Sequence, residues 1–235
     1  RYGALIDSTI RQFRDLMSSQ SLPQSTQSLH PGAARKVFVI GLSKTGTTSL
    51  KDMLTTLGYR VCGPRKTLLT AVRAGNISAV HPTMDDFDAF EDWPWPLVYS
   101  EAYARYGSDA RFILTVRRDE EAWFRSIEQH GYGTSLLKSM KNAYGYYRPF
   151  GHKAEFVNIY RSHNERSRAF FADKPGIFAE FCLENGDSWE KLCALIGQPV
   201  PVATPTPHRN KTTPQKKRLT RALNAIIAPL YARLN

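Results

Sequence analysis

Cysteine is scarce: Cys62, Cys182 and Cys193 are the whole complement of a 235-residue chain. An odd number at these spacings matches neither a disulfide framework nor a zinc site, so the thiols read as core or incidental groups in a reducing compartment. Long apolar runs are missing too, and nothing approaches the ~18 residues that a membrane-spanning helix requires. No signal peptide is visible, so a cytoplasmic protein is expected. Because residue 1 is Arg1 and not Met, an upstream targeting or anchor segment stays open. Acidic residues are outnumbered, 21 against 32 Lys and Arg, for a net charge of +11. That balance draws anionic ligands. Nucleic acid is not the expected partner, since the basic residues are dispersed and no helix-turn-helix, zinc-finger or RNA-binding signature occurs.

What is present suffices for one α/β domain with additions, since 42% of the residues are hydrophobic. Residues 1–17 place Tyr2, Leu5, Ile6, Ile10, Phe13, Leu16 and Met17 at helical spacing, which predicts an amphipathic helix. It would pack on its own or a neighbouring subunit, or dock on a partner or a membrane surface. Residues 18–34 are rich in Ser, Gln and Pro and read as a linker. From residue 35 to 235 runs the main domain, where short apolar stretches alternate with helical patterns. This is the sign of a three-layer α/β/α fold around a central parallel sheet. Strands are predicted at Val37–Ile40, Tyr59–Cys62, within Asp88–Asp92, at Arg111–Val116 and at Ile177–Leu183. Helices are predicted at Thr47–Leu57, 65–74, 97–106, Asp119–His130, 134–144, 153–172 and 188–196.

The stretch from Lys36 to Leu50, KVFVIGLSKTGTTSL, joins the first strand to the first helix. A strand, a glycine-bearing turn and a helix together aim backbone N–H groups and a positive dipole end at one point, which binds phosphate. Gly41 and Gly46 permit the tight turn, and the hydroxyls of Thr45, Thr47, Thr48 and Ser49 are candidate donors to phosphate oxygens. A Walker A loop would carry lysine where Thr47 stands. Here the lysine is Lys44, early in the loop, where its ammonium would meet negative charge building on a breaking bond.

These residues resemble the 5′-phosphosulfate loop of the sulfotransferases that use 3′-phosphoadenosine 5′-phosphosulfate. The resemblance implies a P-loop-like fold, with Lys44 at the bridging oxygen of the phosphosulfate and Ser43, Thr45, Gly46, Thr47, Thr48 and Ser49 around the 5′-phosphate. It also implies a 3′-phosphate site. Arg118, after the strand RFILTV, and Ser126, eight residues on, match that element, with the adjacent Arg117 a competitor for the arginine's role. Arg118 can grip a phosphate through two parallel N–H bonds. The segment from Trp189 to Pro201 followed by Arg209 and Lys211 resembles the family's closing helix and basic tail; Trp189, Leu192 and Leu195 read as core, and Arg209 could fold over the nucleotide. The likeness runs from about Lys36 to Asn210.

The acceptor needs a base to take its proton. Asp92 is the candidate, at the predicted carboxyl end of a strand and flanked by Trp93 and Trp95, which could exclude water and raise its pKa. Asp92-Trp93-Pro94 also resembles the Asp-x-Pro element of one sulfotransferase branch. His81 is the second candidate, followed by His130 and His163. Tyr144, Tyr146 and Tyr147 would either line an acceptor pocket or simply pack. No residue set calls for a metal. The acceptor is left open among small molecules, glycans, lipids and peptides. Two rival readings remain open from sequence: a nucleoside triphosphate-dependent kinase, disfavoured by Thr47 and by the apparent lack of a strand ending in a magnesium-binding Asp, and a non-catalytic nucleotide- or partner-binding module.

Overall fold

The structure is a computed structural model that describes residues 29–30, 32–135, 140–207, 218–231 and 233. The expected helix 1–17, most of the expected linker, Arg209 and Lys211 lie outside the described residues. Along the chain come β1 (Lys36–Val39), α1 (Thr47–Thr56), β2 (Val61–Cys62), α2 (Lys66–Arg73), α3 (His81–Asp86), β3 (Ala89–Phe90), α4 (Tyr99–Tyr106), β4 (Ala110–Thr115), α5 (Glu120–Tyr132), α6 (Lys141–Tyr144), α7 (Lys153–Phe171), β5 (Phe178–Phe181), α8 (Trp189–Ile196) and α9 (Arg218–Tyr231). The strands form one parallel sheet in the order β2-β3-β1-β4-β5. β1 is therefore central, and its outgoing loop is flanked by the chain leaving β3 on one side and β4 on the other.

Alternation of side chains along the strands makes the two cores. Val37, Val39, Ala89, Ile113 and Phe181 face α1 and α8, where Leu50, Met53, Trp189 and Leu192 close over them. Phe38, Ile40, Phe90, Phe112 and Leu114 face the opposite layer, meeting Met84, Ala102 and Phe171 of α3, α4 and α7. Registry sets Phe38 beside Phe90 and Phe112 on the neighbouring strands, and their rings stack at 4.5 and 5.4 Å. The expected three-layer architecture is what forms. A third cluster lies beyond the carboxyl ends of the strands, where Leu69, Trp123, Ile127, Tyr144 and Phe156 from α2, α5, α6 and α7, with Trp93 from the loop after β3, enclose the space above the loops.

Three elements differ from expectation. The helix predicted over 134–144 is, among its described residues, a single turn at Lys141–Tyr144, while α5 runs on to Tyr132. The segment before β3, to which no element was assigned, forms a 3₁₀ turn at Ile77–Val80 and α3. Helix α9 had no counterpart in the reading. It lies against α5, where the Asn224 amide donates to the carbonyls of Tyr132 and Thr134 at 2.8 and 2.9 Å. Two carbonyls otherwise left over at the end of α5 are thereby satisfied. The expected linker also ends sooner than Ala34, which is buried: its N–H donates to Ile196 O and its carbonyl accepts from the Tyr59 hydroxyl, both at 2.8 Å.

Candidate active site

The loop after β1 is shaped by two glycines for different reasons. At Gly41 any Cβ would collide with the hydroxyl and carbonyl of Thr115 on β4, so the loop can cross the strand there only without a side chain. Gly46 takes φ 109° and caps α1 with no side-chain hydrogen bond and no acidic residue in the first turn. Intrahelical donation from α1 begins at Ser49, whose N–H reaches Gly46 O at 3.0 Å. The amides of Thr47 and Thr48 precede it, so a positive helix end with open donors results.

Side-chain directions in the loop divide the residues that sequence alone placed together on phosphate. The Thr45 hydroxyl is buried; it donates to Leu42 O at 2.6 Å and, its proton so used, accepts from the Thr115 hydroxyl at 2.6 Å. The Ser43 hydroxyl donates to Asp92 Oδ1 at 2.7 Å and accepts from Trp93 Nε1 at 3.0 Å. Both hydroxyls, expected around a 5′-phosphate, are engaged within the protein, holding the loop and Asp92. Thr47 is buried and hydrogen-bonded to Glu91, and Ser49 is buried as well. Of the four hydroxyls proposed for phosphate, only that of Thr48 is on an exposed residue.

Lys44 and Asp92 both adopt left-handed backbone, φ 74° and 63°. Such conformations in non-glycine residues concentrate at functional sites because surrounding structure must hold them. The Lys44 carbonyl accepts from Arg117 Nη1 at 3.3 Å, and Trp123 Nε1 of α5 donates to Ser43 O at 3.1 Å, so the loop is fixed on both sides of the lysine.

Lys44 lines a cleft of about 290 Å³ with Arg117, Arg118, Arg125, Ser126 and His130. Asp119 caps α5 by accepting from Ala122 N at 2.6 Å, which turns Ala122, Arg125, Ser126, Gln129 and Gly133 along one helical face into this cleft. Arg118, expected to act with Ser126, lines the same cleft as it does. The two neighbouring arginines are told apart by Glu184: it takes the Arg117 guanidinium at 2.6 and 2.8 Å, whereas Arg118 gives Glu184 only its backbone N–H, at 3.1 Å, and leaves its side chain exposed beside Asp119. Arg221 of α9 lines the same cleft and was not foreseen.

On the other side of the loop a second cleft, of about 460 Å³, is lined by Ser43, Asp92, Trp93, Ile127, Met140 and Tyr144 among others. Burial pushes the Asp92 carboxyl up from the usual range, while the Ser43 hydroxyl, the Trp93 N–H at 2.9 Å and the Lys44 ammonium pull it back. Its neighbour Glu91, missed by the sequence reading, is 4% exposed, and burial followed by repulsion from Asp92 raises it to about 7 against the pull of Thr47 and Lys51. These two residues directly follow β3, the strand beside β1. This corrects one ground for setting the kinase aside, since acidic groups do stand at the end of that strand. The substitution of Thr47 for the Walker lysine stands.

The histidines separate as well. His81 pairs with Glu101 at 2.6 Å and lines neither cleft. His163 is buried against Ile40 O at 2.7 Å; a carbonyl only accepts, so Nε2 carries the proton. Burial lowers its pKa to about 4. Among the described histidines His130 alone lines both clefts. Tyr144 lines the second cleft, its phenol pushed far up by burial, and Tyr146 packs on His152 at 4.6 Å. Among the described residues no group of His, Cys, Asp and Glu could hold a metal. No described helix is long and apolar enough to cross a membrane.

A loop that offers α1 amides to an anion, with its lysine early and an exposed arginine across the cleft, is the pattern to compare with known families. A family model described as a sulfotransferase domain matches residues 36–138 and 131–214, most of the chain. The chain belongs to the sulfotransferase family. No curated protein sequence matched it. In this sulfotransferase the matched residues include the β1 loop, Asp92, Arg118, Ser126 and Glu184, so every element that builds the two clefts except α9 falls within the family's own span.

The state of His163 gives a stability test. Unfolded, the imidazole titrates near the ordinary 6.5; folded, near 4. Between these values the unfolded chain binds the extra proton, so stability falls as pH drops through 6.5 and the loss is complete below about 4. The wild type is expected to lose on the order of 3 kcal/mol over that window relative to His163→Gln, whose amide can still donate to Ile40 O. Denaturant unfolding of both proteins across that range checks it.

Proposed function

We propose that this sulfotransferase takes its sulfuryl group from 3′-phosphoadenosine 5′-phosphosulfate and passes it, by in-line displacement, to a hydroxyl or amine in the second cleft. The observation that carries the reading is the position of Lys44: it lines the basic cleft, its charge is felt by Asp92 in the other, and it therefore stands where donor and acceptor must meet.

The residues present fit such a donor. Open amides of Thr47 and Thr48 and the exposed Thr48 suit a 5′-phosphate. The exposed guanidinium of Arg118, with Ser126 beside it, suits the 3′-phosphate. When bound, the donor supplies an activated O–S bond. Lys44 stabilises the negative charge on the oxygen that keeps the electron pair as this bond breaks. Asp92 takes the proton that the acceptor oxygen or nitrogen loses as its bond to sulfur forms. Ser43 and the Trp93 N–H hold Asp92 by Oδ1, and Trp93, 7% exposed, screens it from water.

Release of labelled sulfate from the donor onto a panel of hydroxyl and amine acceptors, with stoichiometric 3′-phosphoadenosine 5′-phosphate, is the expected result. Tight binding of magnesium-ATP with none of the sulfated donor would instead establish the kinase, and donor binding with no transfer to any acceptor would establish a binding module. Within this reading Arg118→Ala is expected to weaken binding of the desulfated nucleotide by about 10- to 100-fold, the worth of a charge-assisted bond. Removal of the 3′-phosphate from the ligand should abolish the difference between wild type and variant in calorimetric titration.

A further inference from the structure

The second cleft is built for more than a hydroxyl. Its walls are apolar, from Leu69, Trp93, Ile127, Met140 and Tyr144. Its charges are separated. Asp92 is the one carboxylate among the described residues that line it, whereas Arg65 and Lys66, both exposed, line it at the start of α2. No ion pair joins Arg65 or Lys66 to a carboxylate among the described residues. The first turn of α2 holds no acidic residue and no side-chain cap, so nothing there offsets the cations.

Arg65 is placed, not trailing. Its N–H donates to Trp93 O at 2.9 Å, its Nε to Cys62 Sγ at 3.3 Å, and its guanidinium lies over the Phe87 ring at 5.6 Å. Arg73, further along α2, acts on the opposite wall. It donates to the carbonyls of Asn142 and Ala143 at 3.0 and 2.7 Å and so fixes α6 in place across the cleft. A volume of about 460 Å³ lies in the range of small-molecule sites.

We infer, on the basis of the sulfotransferase reading above, that the acceptor is a small amphipathic molecule. Its hydroxyl meets Asp92, its apolar body lies along Trp93, Ile127 and Met140, and an anionic group at its far end meets Arg65 and Lys66. A glycan would leave the apolar walls without a partner, and a neutral lipid alcohol would leave the two cations without one.

The test uses matched pairs of hydroxy acids and their methyl esters, one phenolic, 3-(4-hydroxyphenyl)propionate, and one aliphatic, 12-hydroxydodecanoate. Each is titrated calorimetrically and then offered with labelled donor. In at least one pair the acid is expected to bind at least about tenfold more tightly than the ester, and Arg65→Ala/Lys66→Ala to reduce that preference to about threefold or less. Equal affinity of acid and ester in both pairs, absence of binding by all four compounds, or a preference that survives the double substitution overturns the acceptor class. Preferential binding of the acid with no transfer of label supports the ligand class and overturns the donor assignment instead, so the two failures are distinct.

Discussion

Lys44→Ala is expected to reduce turnover by about 10²- to 10³-fold, the usual consequence of removing a group that meets charge developing in the transition state. The fold should be indifferent. The backbone at 44 is held by Arg117 and the neighbouring Ser43 carbonyl by Trp123, bonds that the substitution leaves in place, and alanine tolerates φ 74° no worse than lysine does. Affinity for the desulfated nucleotide should change less than turnover, because Arg118, Ser126 and the α1 amides remain. A thermal melt, a calorimetric titration and a single-turnover transfer assay separate these three effects. If turnover and nucleotide affinity fall together by the same factor, Lys44 is a ground-state binder and not the stabiliser of the leaving oxygen.

Asp92→Asn is the second large effect, about 10²- to 10⁴-fold in rate for loss of a general base. The asparagine oxygen can still accept from Ser43 and the Trp93 N–H, so the local structure has no cause to change. The pH profile gives the sharper reading. A base works only when ionised, so wild-type activity is lost as pH falls through the Asp92 pKa. Burial raises that pKa, so the acid limb should stand above the position of an ordinary carboxylate. Glu91, its own carboxyl raised to about 7, is mostly protonated at acid pH, so Glu91→Gln should keep the base and leave the limb close to its wild-type position. In Asp92→Asn the limb should vanish. A variant that keeps both rate and limb would transfer the role to His130, the imidazole that lines the two clefts together.

Much of the fold could be read from periodicity. Val37–Ile40 is an apolar run closed by glycine, and it became β1 displaced by one residue toward the N-terminus; Arg111–Val116 became β4 in the same way. The eight-residue spacing of Arg118 and Ser126 carried over because one helical face, started by the Asp119 cap, converts spacing into direction. What periodicity does not encode is which way each residue of an irregular loop points. Ser43 and Thr45 lie on either side of a left-handed residue, and their hydroxyls are committed to Asp92 and Thr115, partners 49 and 70 residues away. His81 failed as a candidate for the same reason, its carboxylate partner being 20 residues on.

Other misses had a signal. Glu91 follows Ala89-Phe90, and an acidic residue directly after a buried strand pair, beside a second one, invites the question of what keeps both charged. Helix α9 could have been found from Leu219, Leu223, Ile226 and Leu230, which recur at helical spacing, although Pro229 within it argues the other way. The Asn142–Ala143 wall of the second cleft could not, since it is held by Arg73 across 69 and 70 residues.

A crystal structure with the desulfated nucleotide bound tests the central claim most directly. The account predicts the 3′-phosphate against Arg118 and Ser126, the 5′-phosphate on the amides of Thr47 and Thr48, and the Lys44 ammonium within hydrogen-bond distance of the 5′-phosphate oxygen that faces Asp92. A nucleotide whose 5′-phosphate lies away from Lys44, with another cation upon it, would contradict the account.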